Sequence, residues 1–256
     1  MRIKAVLSAA VFILLLSGCA TVYNPATKRQ EAVLVGSREE LNMGQQINKQ
    51  VLAQYKVSKN EIYRQRVNDI GAKLARVSER QDIPYKFEVV ESKDVNAFTI
   101  PGGYVYTTTA LMENVANDDE LAAVLAHEIG HIAARHAAKK IQTAMGYNVL
   151  MATVYALEGE KLKERWRDIS LATNVTFELV SLGYSRRDEI AADLLGLNYL
   201  KKSGYDPYAM ISFFEKLKRI ENEKPVKWMV FLRSHPYLDD RIAIAKKELG
   251  TSVDAH

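Results

Sequence analysis

The chain has 256 residues, of which 48% are apolar and 26% are charged, and its formal net charge is +4. This composition is typical of a globular protein, and the length allows a sizeable hydrophobic core. The basic residues are dispersed among acidic ones, without the Lys/Arg cluster and interleaved aromatic residues that nucleic-acid binding requires. We therefore expect no nucleic-acid partner.

Residues 1–18 have the pattern of an export signal. Arg2 and Lys4 precede a short apolar run that ends in the letters LSGC, and Cys19 is the only cysteine of the chain. The run is too short to span a bilayer unaided. The pattern resembles the bacterial lipobox, in which the cysteine is acylated once the preceding peptide is removed. We expect a lipoprotein signal peptide over 1–18 and lipidation of Cys19, with an ordinary secretory signal as the alternative.

After the expected signal peptide, the chain is divided into a tether and one domain. Residues 19–36 are interpreted as a lipidated tether and residues 37–250 as a single domain. Ala20 follows the cysteine where an inner-membrane retention signal would carry Asp. This residue favours an anchor in the outer membrane, with the protein on its periplasmic face.

Two helices are predicted at the start of the domain. The first begins at Ser37, with Glu40 three residues later as the second half of a capping box. The second begins at Ser58, with Glu61 in the corresponding position. Apolar residues then recur at helical spacing until Pro84 breaks the pattern.

The pattern then changes to alternation. Residues 85–92 and 97–111 are rich in β-branched and aromatic residues, which predicts strands, with residues 101–103 (Pro-Gly-Gly) as the turn. A helix capped by Asn117 follows and extends to about Met145.

The stretch 141–157 contains no charged residue, but it is shorter than a membrane-spanning helix and carries polar residues. It is either a buried helix or hairpin, or an interfacial patch or mobile cover over a cleft. Further helices are predicted over 159–182, 186–203, 207–222 and 239–249. The predicted fold is therefore α+β, mostly helical, with a small sheet.

The stretch VLAHEIGHIAARHAA, residues 124–138, contains the pattern H-E-x-x-H. His127 and His131 are four residues apart, so on a helix both imidazoles face the same side and can reach one ion. Glu128 sits about 100° round the helix, where it can touch a water on that ion without binding the metal itself. The alternative is a helix with solvent-exposed histidines. The apolar neighbours argue against it, because buried histidines and a buried carboxylate need partners.

Catalytic zinc requires a third protein ligand and one open position. His136 lies about 140° round a continuous helix from His131, so we do not expect it to bind the ion. The best candidates are Glu189 and Asp193, which are four residues apart in YSRRDEIAADLLG. One carboxylate can complete the site, and the other can accept the ring N–H of a ligand histidine. A solvated charge pair on a surface helix is the alternative for this spacing.

Four motifs together resemble one family. NAFTIPGG, HEIGH, YSRRDEIAAD and SHPYLDDR occur within residues 95–241 in the order found in the HtpX-like zinc metallopeptidases, a gluzincin group that includes the CAAX prenyl proteases. The resemblance implies a gluzincin-type zinc metallopeptidase domain with a small β-sheet beside the HExxH helix. It implies one Zn²⁺ per chain held by His127, His131 and Glu189, with Glu128 as the base and Asp193 supporting a ligand. Because the expected mature chain has no apolar run long enough to span a membrane, the soluble, lipid-anchored branch is favoured.

The strand segment before the HExxH helix is the expected substrate-binding region. An edge strand there can pair with the backbone of an extended polypeptide, which makes cleavage tolerant of sequence. The residues expected to contact substrate are Asn96, Ala97, Phe98, Gly102 and Gly103.

The predicted function is zinc-dependent hydrolysis of peptide bonds in misfolded or misassembled envelope proteins, by an enzyme held at the membrane through its N-terminal lipid. A chaperone-like or regulatory zinc protein with incidental proteolysis is one alternative, but it predicts loss of the base, and Glu128 is present. A cell-wall peptide amidase is another; it keeps the chemistry and changes the substrate.

His235 in SHPYLDDR is a further candidate for a catalytic role. Pro236 restricts His235 to extended backbone angles, so the imidazole is expected on a loop. Three roles remain open: a fourth zinc ligand that keeps the resting site shut, a protonated donor to the oxyanion, or a cap of the following helix. We favour the first, because an endopeptidase anchored among unfolded proteins needs restraint.

Overall fold

The computed structural model describes residues 20–33, 35–146, 183–223 and 230–251. Most of the described elements are helices and the strands form two small sheets, so the α+β, mostly helical fold is confirmed. The elements in chain order are β1 (Ala20–Asn24), β2 (Arg29–Val33), α1 (Ser37–Gln54), α2 (Glu61–Ala75), β3 (Lys86–Val90), β4 (Ala97–Ile100), β5 (Tyr104–Thr108), α3 (Thr109–Asn114), α4 (Asp118–Ala133), α5 (136–146), α6 (Arg186–Ser203), α7 (Tyr208–Glu223), α8 (Val230–Ser234) and α9 (Leu238–Glu248).

The three-stranded sheet has the order β3-β5-β4, with β3 parallel and β4 antiparallel to β5. The predicted turn joins β4 to β5, and its two glycines have φ of 82° and 86°, a region that side chains disfavour. A Cβ at Gly103 would also lie 2.1 Å from the carbonyl oxygen of Pro84. The turn therefore depends on glycine for both its backbone angles and its space.

Residues 20–33, within the predicted tether, form an antiparallel hairpin of β1 and β2. The hairpin packs on the end of α4, where the Asn24 amide donates to the carbonyl of Ala133 at 3.4 Å. Lys139 pairs with Glu31 of β2 at 2.6 Å. The sequence does not predict these strands because most of their residues are exposed, so the apolar alternation of a half-buried strand is missing.

The first helix begins at Ser37 as predicted, but the prediction of a capping box is wrong. Gly36 is the N-cap and no side chain caps the helix. The Ser37 hydroxyl instead donates to Asp82. Glu40 is buried and forms ion pairs with Arg80 and Arg135, each at 3.2 Å. The carboxylate that resembled a cap is therefore part of the interior.

The second helix begins at Glu61 rather than at Ser58. Asn60 is the N-cap, and its side chain accepts a hydrogen bond from the amide of Tyr63. The amide of Ser58 donates to the carbonyl of Val89 at the end of β3, which holds this segment extended. A tertiary contact therefore displaces the helix start.

The single helix predicted from Asn117 to Met145 is two helices. Asn117 caps α4 as predicted, accepting from the amide of Glu120 at 2.9 Å. The break comes at Arg135, whose φ of 59° is in the left-handed region. The Arg135 guanidinium donates to the carbonyl of Val35 and pairs with Glu40, so contacts with the preceding segment hold the break in place.

The helices predicted over 186–203, 207–222 and 239–249 correspond within a residue to α6, α7 and α9. Most of the charge-free stretch 141–157, and the whole of the helix predicted over 159–182, lie outside the described residues. In the part of the chain that the structure describes, no helix is both long and apolar enough to cross a membrane.

Helix α4 lies at the centre of the domain, with every residue from Glu120 to Ala133 buried. Its closest contact is with α6. A Cβ at Gly130 would lie 2.6 Å from the carbonyl oxygen of Ala192, and one at Gly196 would lie 3.2 Å from the amide nitrogen of His127. Glycines on both helices therefore allow their backbones to touch beside the HExxH motif.

We expect Gly130→Ala to lower the free energy of unfolding by about 1–3 kcal/mol, because the added methyl group has no space against Ala192. Chemical denaturation of the purified protein measures the change.

Gly146→Ala is the matched control, because a Cβ there meets no heavy atom of the described residues within 4 Å. It should be neutral or stabilising by up to about 1 kcal/mol, the helix-propensity difference between the two residues. Equal stability of the Gly130→Ala and wild-type proteins would contradict the close contact between α4 and α6.

Candidate metal centre

Four buried side chains converge at the contact between α4 and α6. One ligand atom from each of His127, His131, Glu189 and His235 lies within 4.8 Å of the others. Helix α4 supplies the first two histidines one turn apart, and α6 supplies the glutamate. His235 comes from the loop between α8 and α9. The structure thus brings together residues more than 100 positions apart in the chain.

The distances within this group suit a small cation. Nε2 of His127 lies 3.0 Å from Nε2 of His131 and 3.1 Å from Nδ1 of His235. The Glu189 carboxylate lies 3.4 Å from Nε2 of His131 and 3.6 Å from Nε2 of His127. Ligand atoms about 2.0–2.1 Å from a tetrahedral zinc ion lie about 3.3 Å from one another. Imidazole and carboxylate donors at these distances fit a divalent transition metal.

Glu128 is completely buried, and neither of its carboxylate oxygens has a hydrogen-bond partner among the described residues. Oε1 lies 3.4 Å from Nε2 of His235, at the side of the ligand group. Burial raises the pKa of Glu128. A buried carboxylate without partners is costly for folding, and the same property makes it a stronger base towards a nearby water.

Asp193 and Arg241 lie behind the ligand group. Oδ1 of Asp193 is 2.7 Å from Nδ1 of His127, the ring nitrogen that faces away from the group. Arg241 donates to both carboxylate oxygens of Asp193, at 2.7 and 2.8 Å. Burial raises the pKa of Asp193, but the charge and hydrogen bonds of Arg241 together with the contact to His127 outweigh it, so the pKa is lowered. An ionised Asp193 can therefore accept the Nδ1–H of His127 and leave Nε2 free.

Arg241 also contacts two members of the ligand group, Glu189 and His235. Its guanidinium pairs with Glu189 at 3.0 Å and donates to the backbone carbonyl of His235 at 3.1 Å. Sequence reasoning missed Arg241 although it is the last letter of SHPYLDDR, because an arginine near the start of a helix is usually solvated. Its completely buried position is visible only in the structure.

Glu189 and His235 each stabilise the charged form of the other. Burial raises the pKa of Glu189, but His235 and His131 together lower it well below its usual range. Burial lowers the pKa of His235, but Glu189 and Glu128 together raise it by more, so that it ends above its usual value. For His131, burial dominates and lowers the pKa to about 4. His131 is therefore neutral at physiological pH, as a metal ligand must be.

Two residues that sequence reasoning did not place at the site contact His131. The Tyr184 ring stacks on the imidazole, with centroids 4.1 Å apart and planes at 24°. The Tyr184 hydroxyl is buried and has no hydrogen-bond partner in the described part of the chain. His136 lies outside the ligand group, as expected, but its Nδ1 is 2.8 Å from Nδ1 of His131. The expected divergence of these two histidines assumed a continuous helix, and the break at Arg135 removes that assumption.

The residues expected to contact substrate lie on and beside β4, one of the two edge strands of the three-stranded sheet. Phe98 stacks on Tyr106 with centroids 4.9 Å apart, and both glycines of the turn pack against backbone atoms of neighbouring segments. The side-chain oxygen of Asn96 is buried and has no hydrogen-bond partner among the described residues. All five residues, Asn96, Ala97, Phe98, Gly102 and Gly103, are buried. Their contact with substrate stays a prediction.

A buried HExxH helix packed against a second helix that supplies a carboxylate is the arrangement of a metallopeptidase. The chain matches Peptidase family M48 over residues 61–249, and it belongs to this family. The match confirms the resemblance to zinc metallopeptidases that the four motifs indicate.

Three curated relatives illustrate the likeness. The beta-barrel assembly-enhancing protease of Escherichia coli (strain K12) is 28% identical over 216 residues, which cover 81% of this chain and 43% of that protein. The mitochondrial metalloendopeptidase OMA1 of Schizosaccharomyces pombe is 27% identical over 227 residues, covering 86% of this chain and 64% of that protein. Metalloprotease LoiP of Escherichia coli (strain K12) is 32% identical over 164 residues, covering 63% and 62%. The chain thus spans less than two thirds of the length of these relatives.

Proposed function

We propose that this chain is a zinc metalloendopeptidase whose ion is held by His127, His131 and Glu189. The observation that carries the proposal is the convergence of these ligand atoms beside Glu128, which is buried without a hydrogen-bond partner in the described residues. Two histidines and a glutamate are a ligand set of catalytic zinc, which keeps one position open. The same base argues against a chaperone or regulatory zinc protein, because neither role uses a buried proton acceptor.

A zinc ion held there supplies Lewis-acid chemistry, which makes water more acidic and polarises a peptide carbonyl. Glu128 takes the proton from the attacking water and delivers it to the leaving amine. Asp193 accepts the Nδ1–H of His127 and fixes that ring with Nε2 towards the ion, while Arg241 keeps Asp193 ionised. Glu128, with its raised pKa, is suited to carry this proton at neutral pH.

Extended polypeptides are the proposed substrates. Among the described residues, strand β4 pairs with β5 on one side only, so its other edge is the proposed partner of a substrate backbone. Misfolded or misassembled envelope proteins expose such segments. The likeness to the beta-barrel assembly-enhancing protease of Escherichia coli supports a role in envelope protein quality control.

The position of His235 supports a resting state in which a neutral His235 places its Nδ1 at the open zinc position, because a bound ion would offset the carboxylate charges that otherwise raise its pKa. Nδ1 lies 3.1 Å from Nε2 of His127 and 3.1 Å from Glu189, within the ligand group itself. An oxyanion donor requires no contact of this kind with the other ligands. A backbone cap is not supported either, because the ring nitrogens contact side chains of the site, and α9 has no side-chain cap.

We expect Glu128→Gln to retain zinc and the fold but to lose proteolysis, because the amide matches the carboxylate in shape and cannot accept the proton. Hydrolysis of an unfolded protein such as casein should fall by about 10²–10⁴-fold, the usual contribution of a general base. Glu61→Gln, on an exposed helix surface, is the control and should keep full activity. Activity of Glu128→Gln within about tenfold of wild type would contradict the role of base.

His235→Ala should raise basal proteolysis while leaving zinc content unchanged, because the open position is no longer occupied. Proteolysis and bound zinc are measured on the same preparation. A fall in turnover with zinc retained would favour the oxyanion donor instead. Unchanged activity with a lowered melting temperature would leave only a structural role.

We further propose that Cys19, which lies outside the described residues, carries the lipid that holds the enzyme at the periplasmic face of the outer membrane. Cys19→Ser should release the protein from the membrane fraction or block removal of residues 1–18. Fractionation and mass spectrometry of the N-terminus measure both. A variant that fractionates and matures like wild type would contradict lipidation.

A further inference from the structure

His136 stands directly behind His131, on the side away from the ligand group. The two Nδ1 atoms are 2.8 Å apart, which is hydrogen-bonding distance, and both residues are buried. Nε2 of His136 lies 3.4 Å from Oδ1 of Asp188 on α6. The three side chains therefore form a chain of contacts that leads from Nε2 of His131 to a carboxylate near the surface.

The proton positions in this chain follow from the role of His131. If Nε2 of His131 faces an ion, that nitrogen carries no proton, and the neutral ring carries its proton on Nδ1. Nδ1 of His136 must then accept it. A neutral His136 has its own proton on Nε2, the atom that faces Asp188. Each contact thus has one donor and one acceptor, and only this assignment satisfies both.

The backbone break at Arg135 produces this arrangement. On a continuous helix His136 would face about 140° away from His131. Arg135 is instead held in the left-handed region, and α5 begins directly afterwards with His136 turned back towards α4. The Arg135 side chain bonds to the carbonyl of Val35 and to the buried Glu40. A costly backbone conformation is thus stabilised where it brings the second histidine into contact.

We infer that His136 is a positioning residue, which fixes the tautomer and orientation of His131 by accepting its Nδ1–H, and that Asp188 in turn orients His136. The inference rests on the proposed zinc site. Partners that orient ligand histidines in this way are usually carboxylates or backbone carbonyls. For His127 that partner is Asp193, and for His131 it is a histidine supported by Asp188.

The test is the zinc affinity of two variants of similar shape, measured by competition with a chromophoric chelator. Asn places its Oδ1 two bonds from Cβ, as His places Nδ1, so His136→Asn keeps an acceptor. His136→Leu places a methyl group there. We expect His136→Leu to weaken zinc binding by about 10–100-fold, and His136→Asn to restore most of the affinity. Equal affinity of the wild-type and Leu proteins, or an Asn variant as weak as Leu, would overturn the inference.

A second pair of variants separates the contribution of Asp188 to zinc binding from its role in capping α6. Asp188 also accepts from the Ser185 hydroxyl at 2.7 Å in the cap of α6. Asp188→Ala and Ser185→Ala both break this cap, but only the first removes the contact with His136. We expect zinc affinity to fall in Asp188→Ala and to stay at the wild-type value in Ser185→Ala. Equal affinities in these two variants would exclude Asp188 from the chain of contacts.

Nitrogen-15 NMR of the zinc-loaded wild-type protein tests the proton positions even if a variant does not fold. We expect the proton of His131 on Nδ1 and that of His136 on Nε2. A proton on Nδ1 of His136 would overturn the inference. Failure of the wild-type protein to bind zinc would instead contradict the proposed function, which keeps the two outcomes distinct.

Discussion

The site depends on the close contact between α4 and α6. Gly130 meets the backbone of Ala192, and Gly196 meets the backbone at His127, so the helices approach more closely than larger residues allow. This contact sets the distance between the HExxH histidines and the carboxylates of α6. Because interiors are densely packed, a displacement of one helix by the width of a methyl group would be transmitted to the ligand distances. The metal centre is therefore a property of the packing of two helices.

The buried charges require an equally specific arrangement. Glu189 and Asp193 are removed from water at adjacent turns of α6, and the single guanidinium of Arg241 contacts both. Removing one partner of such a buried group leaves a charge without compensation, which costs far more than the loss of a surface ion pair. Arg241 also binds the backbone of His235, so the ligand group and its charge balance are held by the same residue. A bound cation would add positive charge beside Glu128, whose carboxylate has no hydrogen-bond partner among the described residues.

Spacing within single helices predicted much of this from the sequence. The four-residue interval in HEIGH, and the one between Glu189 and Asp193, specify shared helix faces, and the alternation and Pro-Gly-Gly turn specify the β4–β5 hairpin. Features that depend on contacts between distant segments were not predictable. The break at Arg135 is held by contacts with Val35 and Glu40, about 100 residues earlier. The periodicity of the local sequence therefore does not indicate it. The burial of Arg241 and the contact of His136 with His131 were missed for the same reason, because both come from three-dimensional neighbours.

The central claim is that α4 and α6 together hold one zinc ion through His127, His131 and Glu189. The most direct measurement is the metal content of the purified protein by mass spectrometry, with Glu189→Ala and Glu215→Ala compared after verification that both fold. Glu215 is a half-exposed carboxylate on α7 paired only with Lys246 among the described residues, so its removal should leave the metal untouched. The account predicts one zinc per chain in wild type and Glu215→Ala, and strongly reduced zinc in Glu189→Ala. Full zinc occupancy in a folded Glu189→Ala protein would contradict it.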